Sequence, residues 1–186
     1  ITNGPTQEFL DDVRFLTNRS SGRMGAALVA ACLAMGARVT VVSGPVALAY
    51  PRRADVVRVR TALDMLEAAQ SFAASADVFF AVAAVADYRP AITLAGKMRR
   101  TDEPITLELV PNPDIVATIA HAHPKLLTVA FAAEPTSDPM TAAEKMRRKG
   151  VQAIAMNDVS RTDIGFESPD NELTLLMPDG TSASSG

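Results

Sequence analysis

The 186 residues carry 18 Lys and Arg against 21 Asp and Glu, a formal net charge of -3, and 48% of them are hydrophobic. That balance supports one buried core and a single domain, and it excludes a disordered or fibrous chain. The slight acidic surplus argues against a nucleic-acid partner, because such binders need an excess of Lys and Arg.

Residues 1–6 read as the end of a buried strand that breaks at Gly4-Pro5. The run Asn18-Arg19-Ser20-Ser21-Gly22-Arg23-Met24-Gly25 then places small residues where a loop enters an apolar helix. Backbone N–H groups at such an entrance lack partners and sit at the positive end of the helix dipole, which makes Ser20, Ser21 and Gly22 candidate phosphate ligands. A turn built for packing alone has the same composition, so both readings stand at this point. The dinucleotide fingerprint is absent, since Gly22 and Gly25 lack the earlier glycine it requires. The helix, 22–35, is apolar nearly all round, stops at Gly36 and is expected to lie buried against a sheet. Cys32, the one cysteine, is a core residue within it, which rules out an internal disulfide and points to a reducing compartment.

Short β-branched or aromatic runs at 39–43, 56–59, 78–83, 126–130 and 153–156 read as buried strands. Helices separate them. Thr61 and Asp64 form a near capping box for a helix over 61–74. In Asn112-Pro113-Asp114 the Asn is expected to cap a further helix, with Pro at the first helical position and Asp in the first turn. Asp138-Pro139 repeats the signature before a helix that stops at Gly150. Strands alternating with helices of this length predict an α/β fold: a Rossmann-like, doubly wound, mostly parallel sheet whose ligands gather at the carboxyl ends of the strands. Residues 88–111 break the pattern with Lys97, Arg99 and Arg100 followed by a strand-like 105–110, an excursion suited to a lid or dimer arm. Residues 173–177, followed by Pro178-Asp179-Gly180, read as one arm of a hairpin whose partner is missing or cut short. No run approaches the roughly 18 to 20 apolar residues of a membrane span, and the expected setting is the cytoplasm. The abrupt start at Ile1 and the Ser-Ala-Ser-Ser-Gly end give the expectation that both termini are cut from something longer.

Polar groups follow the strand ends: Asp87, Glu134 and Asn157-Asp158. Each acid could hold ribose hydroxyls or a metal ion, or cap the next turn. The small Ala83, Ala84 and Ala86 before Asp87 would let a ligand approach the backbone. Lys145 and Lys149 share a helix face, where they either complement the dipole or, with the Lys97 cluster, neutralise a triphosphate. No Tyr-x-x-x-Lys pair and no serine elbow occurs, and His121 and His123 alternate on a helix, so they point apart.

The string ITNGPTQEFLDDVRFLTNRSSGRMG resembles the opening signature of the phosphopantothenoylcysteine synthetases, or phosphopantothenate–cysteine ligases. The resemblance continues in family order through VTVVSGPV, AVAAVADYRP, the lysine of GKMRR, PNPDIVA, FAAEP, EKMRRK, MNDVS and GFESPDNELTLL. It implies a two-step reaction: a carboxylate attacks the α-phosphate of CTP, and the amine of cysteine then attacks the acyl-cytidylate. By this resemblance Asn18 handles the acyl-cytidylate, Lys97 is the cation that forms it, and Arg14 supports substrate or loop. The implied CTP site takes in Ala81, Val82, Ala83, Asp87, Pro113, Asp114, Ile115, Val116, Phe131, Lys145 and Lys149. Mg²⁺ would bridge the phosphates, no flavin would bind this stretch, and the expected assembly is a homodimer.

The chain departs from the family pattern at Asn3, Phe9 and Asp12, at Arg23 in place of lysine, and at Arg99-Arg100 in place of a lysine pair. The usual strand and helix beyond Gly180 are also expected to be absent. A nicotinamide-dependent oxidoreductase or a non-catalytic nucleotide-binding module on the same architecture are the competing readings.

Overall fold

Thr2–Asn3 (β1) is two residues long, yet it is an interior strand of an eight-stranded sheet. The computed structural model describes residues 1–134, 139–158 and 172–185. In chain order the remaining sheet strands are Thr40–Ser43 (β4), Asp55–Arg58 (β5), Val78–Ala81 (β6), Leu127–Glu134 (β9), Ala153–Asp158 (β10), Leu173–Leu176 (β11) and Ser182–Ser184 (β12). Two small ribbons stand apart from them: Gln7–Phe9 (β2) with Phe15–Thr17 (β3), and Tyr88–Pro90 (β7) with Leu109–Pro111 (β8). The helices are Arg23–Ala34 (α1), Ala62–Ala73 (α2), Ile115–Ala122 (α3) and Pro139–Lys149 (α4).

The strand order is β12-β11-β10-β9-β6-β1-β4-β5. From β5 to β10 all pairings are parallel, and the chain order of those six strands across the sheet is 3-2-1-4-5-6. This is the doubly wound arrangement, whose order reverses between β1 and β6 and opens a crevice there. The expected α/β architecture is therefore the one formed.

Alternation along the strands sorts the core into two faces. Val42, Phe79, Ala81 and Leu126 pack with Met65, Ala69 and Ala73 of α2 and Ile115 and Ile119 of α3. Further along, Ala130, Ala132, Ile154 and Met156 meet Met146 of α4 and Ala120. On the opposite face Val39 and Val41 meet Val29 and Leu33 of α1, with Cys32 partly buried at the edge. Burial on α1 is narrower than its composition suggests: only Gly25, Val29 and Leu33 are buried, an i, i+4, i+8 stripe, and Met35 is exposed.

Several boundaries differ from expectation for local reasons. The cap of α3 is Asp114, whose carboxylate accepts the Ala117 N–H at 3.0 Å. Asn112 and Pro113 lie before the helix, because the Asn112 N–H and amide are engaged by the Asp87 and Ala86 carbonyls at 2.7 and 2.8 Å. Only Leu109–Pro111 of the strand-like 105–110 segment pairs as a strand. The hairpin partner expected to be missing or cut short is present as a three-residue strand: β12 pairs antiparallel with β11, and the turn closes through Met177 N–H to the Thr181 carbonyl at 2.9 Å. The Thr61 capping box forms as expected, with Thr61 Oγ1 accepting the Asp64 N–H and Asp64 accepting the Thr61 N–H. The Asp138 cap of α4 lies outside the described residues, as do the side chains of Glu134 and Asp158.

Candidate functional site

The crevice between β1 and β6 is lined by loops that one hairpin holds in place. After β3 the chain reaches Asn18, whose side-chain amide donates to the Ala84 carbonyl at 3.0 Å. Ala84 is tied to the other side of the crevice: it pairs with Pro5 in a parallel bridge and donates to the Gly4 carbonyl at 3.0 Å. Thr6, fully buried, completes the seam, its hydroxyl accepting the Ala86 N–H and its carbonyl accepting the Thr17 hydroxyl.

Beyond Asn18 the loop enters α1 at Gly22, a left-handed residue (φ 74°) that supplies no side-chain cap. Its position is set from below by Asn3. The Asn3 amide donates to the Gly22 carbonyl at 2.9 Å and to the Tyr50 hydroxyl at 2.6 Å, and Tyr50 in turn meets Ser43 Oγ at 2.8 Å. Asn3 also lies against Gly25, where a Cβ would overlap its side chain. Gly25 is thus required for close approach, and Asn3 is the underside of the loop. Sequence reasoning treated Asn3 only as a departure; its bonds to residues 22 and 50 are tertiary and leave no periodic trace.

Lys97 sits in an exposed segment that the hairpin tip grips. Asp11 lies in that tip, wholly buried. Its carboxylate accepts the N–H groups of Val13 (2.8 Å), Arg14 (2.6 Å) and Met98 (3.0 Å), and it pairs with the Arg14 guanidinium at 3.3 Å. Burial alone would raise the Asp11 pKa, but the three N–H donors and the Arg14 charge outweigh it and hold the carboxyl below its ordinary value. Arg14 and Lys97, 83 residues apart in sequence, are brought to one structural unit by a residue the motif reading passed over. The signal was a local one, an Asx turn in Leu-Asp-Asp-Val-Arg.

The nucleotide candidates divide. Val82, Ala83 and Asp87 follow β6 at the carboxyl edge; the Asp87 side chain is exposed and makes no hydrogen bond among the described residues. Ala81 and Ile115 are core residues, 7% and 4% exposed, so only their backbone can serve a ligand. Phe131 alternates with Ala130 and Ala132, which face α4, and therefore lies on the opposite side of β9 from the α3 group of Pro113, Asp114 and Val116. On the α3 side, Lys149 Nζ pairs with Asp114 at 2.8 Å, so two candidate ligands satisfy each other. Burial pushes the Asp114 carboxyl up, yet the Ala117 N–H and the Lys149 and Arg148 charges together hold it below the ordinary range. Lys145 is half-buried on the same helix. Among the described residues no group of three His, Cys, Asp or Glu gathers as a metal site, and no helix is long and apolar enough to cross a membrane.

A model of the DNA/pantothenate metabolism flavoprotein C-terminal domain matches residues 1–185. The coenzyme A biosynthesis bifunctional protein CoaBC of Vibrio vulnificus is 44% identical over 186 residues, covering 98% of this chain and 46% of that protein. Its counterpart in Escherichia coli is 42% identical over 184 residues, covering 97% and 45%. The chain thus spans about half the length of these curated relatives. Among solved structures, the C-terminal domain of a CoaBC superposes with a TM-score of 0.82 at 37% identity, covering 100% of this chain and 83% of the other. A Cab2 mutant in complex with phosphopantothenate-cysteine has the same fold, with a TM-score of 0.81 at 16% identity over 98% of this chain and 77% of that one.

Proposed function

Because the chain belongs to the DNA/pantothenate metabolism flavoprotein C-terminal domain family, we propose that it is a ligase of coenzyme A biosynthesis. It joins 4′-phosphopantothenate to cysteine through an acyl-cytidylate. The observation that carries this reading is the hairpin β2–β3, which bears Asn18 at its foot beside the sheet's switch point and grips the Lys97 segment at its tip. Two groups suited to opposite halves of a nucleotidyl-transfer reaction are thereby held by one small element.

In the first half, a carboxylate oxygen of phosphopantothenate attacks the α-phosphorus of CTP. An O–P bond forms, the bond to the bridging oxygen breaks, and pyrophosphate leaves. The exposed Lys97 ammonium is a mobile point charge that follows the charge growing on the phosphate. In the second half, the cysteine nitrogen attacks the acyl carbon, a C–N bond replaces the C–O bond to CMP, and the nitrogen sheds its extra proton to solvent. The Asn18 amide donates to the oxyanion without itself titrating. Arg14, oriented by Asp11, supports the substrate side of the same unit.

For the nucleotide, the entrance of α1 with Ser20, Ser21 and Gly22 takes phosphate oxygens, the Ser21 hydroxyl giving up its 3.4 Å bond from the Arg23 N–H. The backbone of Ala81, Val82 and Ala83 and the Asp87 carboxylate take base and ribose, with Phe131 packed on the pyrimidine. Pro113, Asp114, Ile115 and Val116 at the start of α3, with Lys145 and Lys149, close the far side; for Lys149 to reach a phosphate it must exchange its Asp114 partner. Mg²⁺, when bound with the triphosphate, would supply neutralisation of the phosphate charge. The excursion exposes Tyr88, Ile92 and Ile105, 55%, 74% and 59% open, an apolar arm suited to a second copy of the chain.

The test is incubation of the purified protein with CTP, Mg²⁺, 4′-phosphopantothenate and cysteine. CMP, pyrophosphate and the amide should appear in equal amounts. A dimeric preparation that forms no CMP overturns the ligase reading. Protection against unfolding by NADPH and not by CTP would instead favour an oxidoreductase, the reading that the strand order alone would allow.

A further inference from the structure

Lys97 is bracketed. The N–H of the residue before it, Gly96, donates to Asp12 Oδ2 at 2.9 Å, and the N–H of the residue after it, Met98, donates to Asp11 Oδ2 at 3.0 Å. The backbone returns the contact: Asp12 N–H donates to the Gly96 carbonyl at 3.2 Å and Leu94 N–H to the Leu10 carbonyl at 3.0 Å. The Thr93 hydroxyl adds a bond to the Phe9 carbonyl at 3.1 Å. These bonds run between segments more than eighty residues apart, so they are not what a local turn needs. The local need is met by the other oxygen of Asp11, which accepts the Val13 and Arg14 N–H groups within its own turn.

Each oxygen of the Asp11 carboxylate therefore has a separate task. One shapes the hairpin tip, and the other reaches across to the Lys97 segment while pairing with Arg14. An exposed lysine on a flexible four-carbon stem is placed only as well as its backbone is placed. Within residues 91–100 every residue except Met98 is exposed, so little packing holds this backbone and the hairpin tip is its main anchor.

We propose that Asp11 is a positioning residue for Lys97, with Asp12 as a second strut, so that the tip of the β2–β3 hairpin sets where the lysine meets the α-phosphate; the inference rests on the ligase reading for the step it serves. The Asp11 contact is the main one, because it also shapes the hairpin tip, and the Asp12 contact at Gly96 is the lesser.

Two variants and two readouts test it. Asp11→Asn keeps the shape of the side chain but loses its charge and one acceptor oxygen; Asp12→Ala removes only the strut at Gly96 and preserves the fold. In hydrogen exchange, the Gly96 amide should lose protection in Asp12→Ala and the Met98 amide in Asp11→Asn. In single turnover with CTP and 4′-phosphopantothenate, pyrophosphate release should slow about tenfold or more in Asp12→Ala and about 10²-fold in Asp11→Asn, with KM for CTP little changed. In a Lys97→Gln background neither substitution should cost anything further, because both act through the lysine. Unchanged exchange at Gly96 and Met98, or losses that multiply with Lys97→Gln, overturns the inference. Absence of pyrophosphate from the unsubstituted protein overturns the ligase reading instead, and the exchange measurement then still decides whether these carboxylates fix the segment.

Discussion

The amide of Asn18 holds the carbonyl of Ala84 at 3.0 Å, joining the loop before α1 to the segment after β6 across the switch point of the sheet. One bond at an exposed position contributes on the order of 1 kcal/mol, so its structural share is small. The position is what matters.

Asn18→Ala should leave the melting temperature nearly unchanged while slowing amide formation by about 10² to 10³-fold, the usual cost of one oxyanion donor. Mass spectrometry of quenched reactions should then show the acyl-cytidylate accumulating. Loss of pyrophosphate release in this variant would move Asn18 to the first step.

The pairing of Lys149 with Asp114 gives a contrast between two substitutions. Lys149→Ala removes a partly exposed ion pair, costing under about 1 kcal/mol, but should raise KM for CTP. Asp114→Ala also removes the α3 cap and should cost about 1 to 2 kcal/mol more than that. Chemical denaturation and CTP titration of both variants separate the two effects; equal stability losses would mean the cap carries nothing.

Gly25 and Asn3 should be coupled. Gly25→Ala forces a methyl into the Asn3 side chain and should destabilise by about 1 to 3 kcal/mol. Asn3→Ala alone leaves the Gly22 carbonyl and Tyr50 hydroxyl short of a donor, for a loss of about 1 to 3 kcal/mol. In the double variant the overlap with the Asn3 amide is gone and only the tight contact with the residue 3 Cβ, at 2.9 Å, remains, so its loss should fall well short of the sum; additive losses would show that the two do not touch in solution.

Acid should unfold the protein through specific carboxylates. Asp11, Asp64 and Asp114 are each pushed up by burial but pulled further down by N–H donors, with added help from the Thr61 hydroxyl at Asp64 and from cations at the other two. Their folded values lie below the ordinary 3.8, so their stabilisation is complete above that value and is lost as pH falls through it towards the folded values. Melting temperature should therefore hold steady near neutrality and drop below about pH 4. Asp11→Asn should show a shallower drop, and an unfolding curve that is flat down to pH 3 would contradict the assignment.

The sheet was legible because its strands are apolar runs bounded by caps that act within four residues, such as Thr61 with Asp64. What escaped the sequence was held by distant partners. The β2–β3 ribbon has strands of three residues, too short for alternation to register, and the contact that ties its tip to the Lys97 segment joins Asp11 to a residue 87 positions away. The capping of α3 was misplaced by two residues because Asn112, a good cap by type, is drawn off by Ala86 and Asp87. Strand β12, a run of Ser-Ala-Ser, carries no hydrophobic pattern and pairs only because β11 offers it an edge. The candidate site was found as motifs, but its division between the two faces of β9 appears only when the register is known.

The two-residue β1 has its neighbours in residues 40–43 on one side and at Ala81 on the other. Thr2 and Asn3, then, cannot settle until some eighty more residues have followed, because an interior position of the sheet is filled by its shortest strand. The crevice that bears Asn18 and Ala84 is correspondingly a late product of folding, and a nascent chain stalled before β6 would hold the motif without the site.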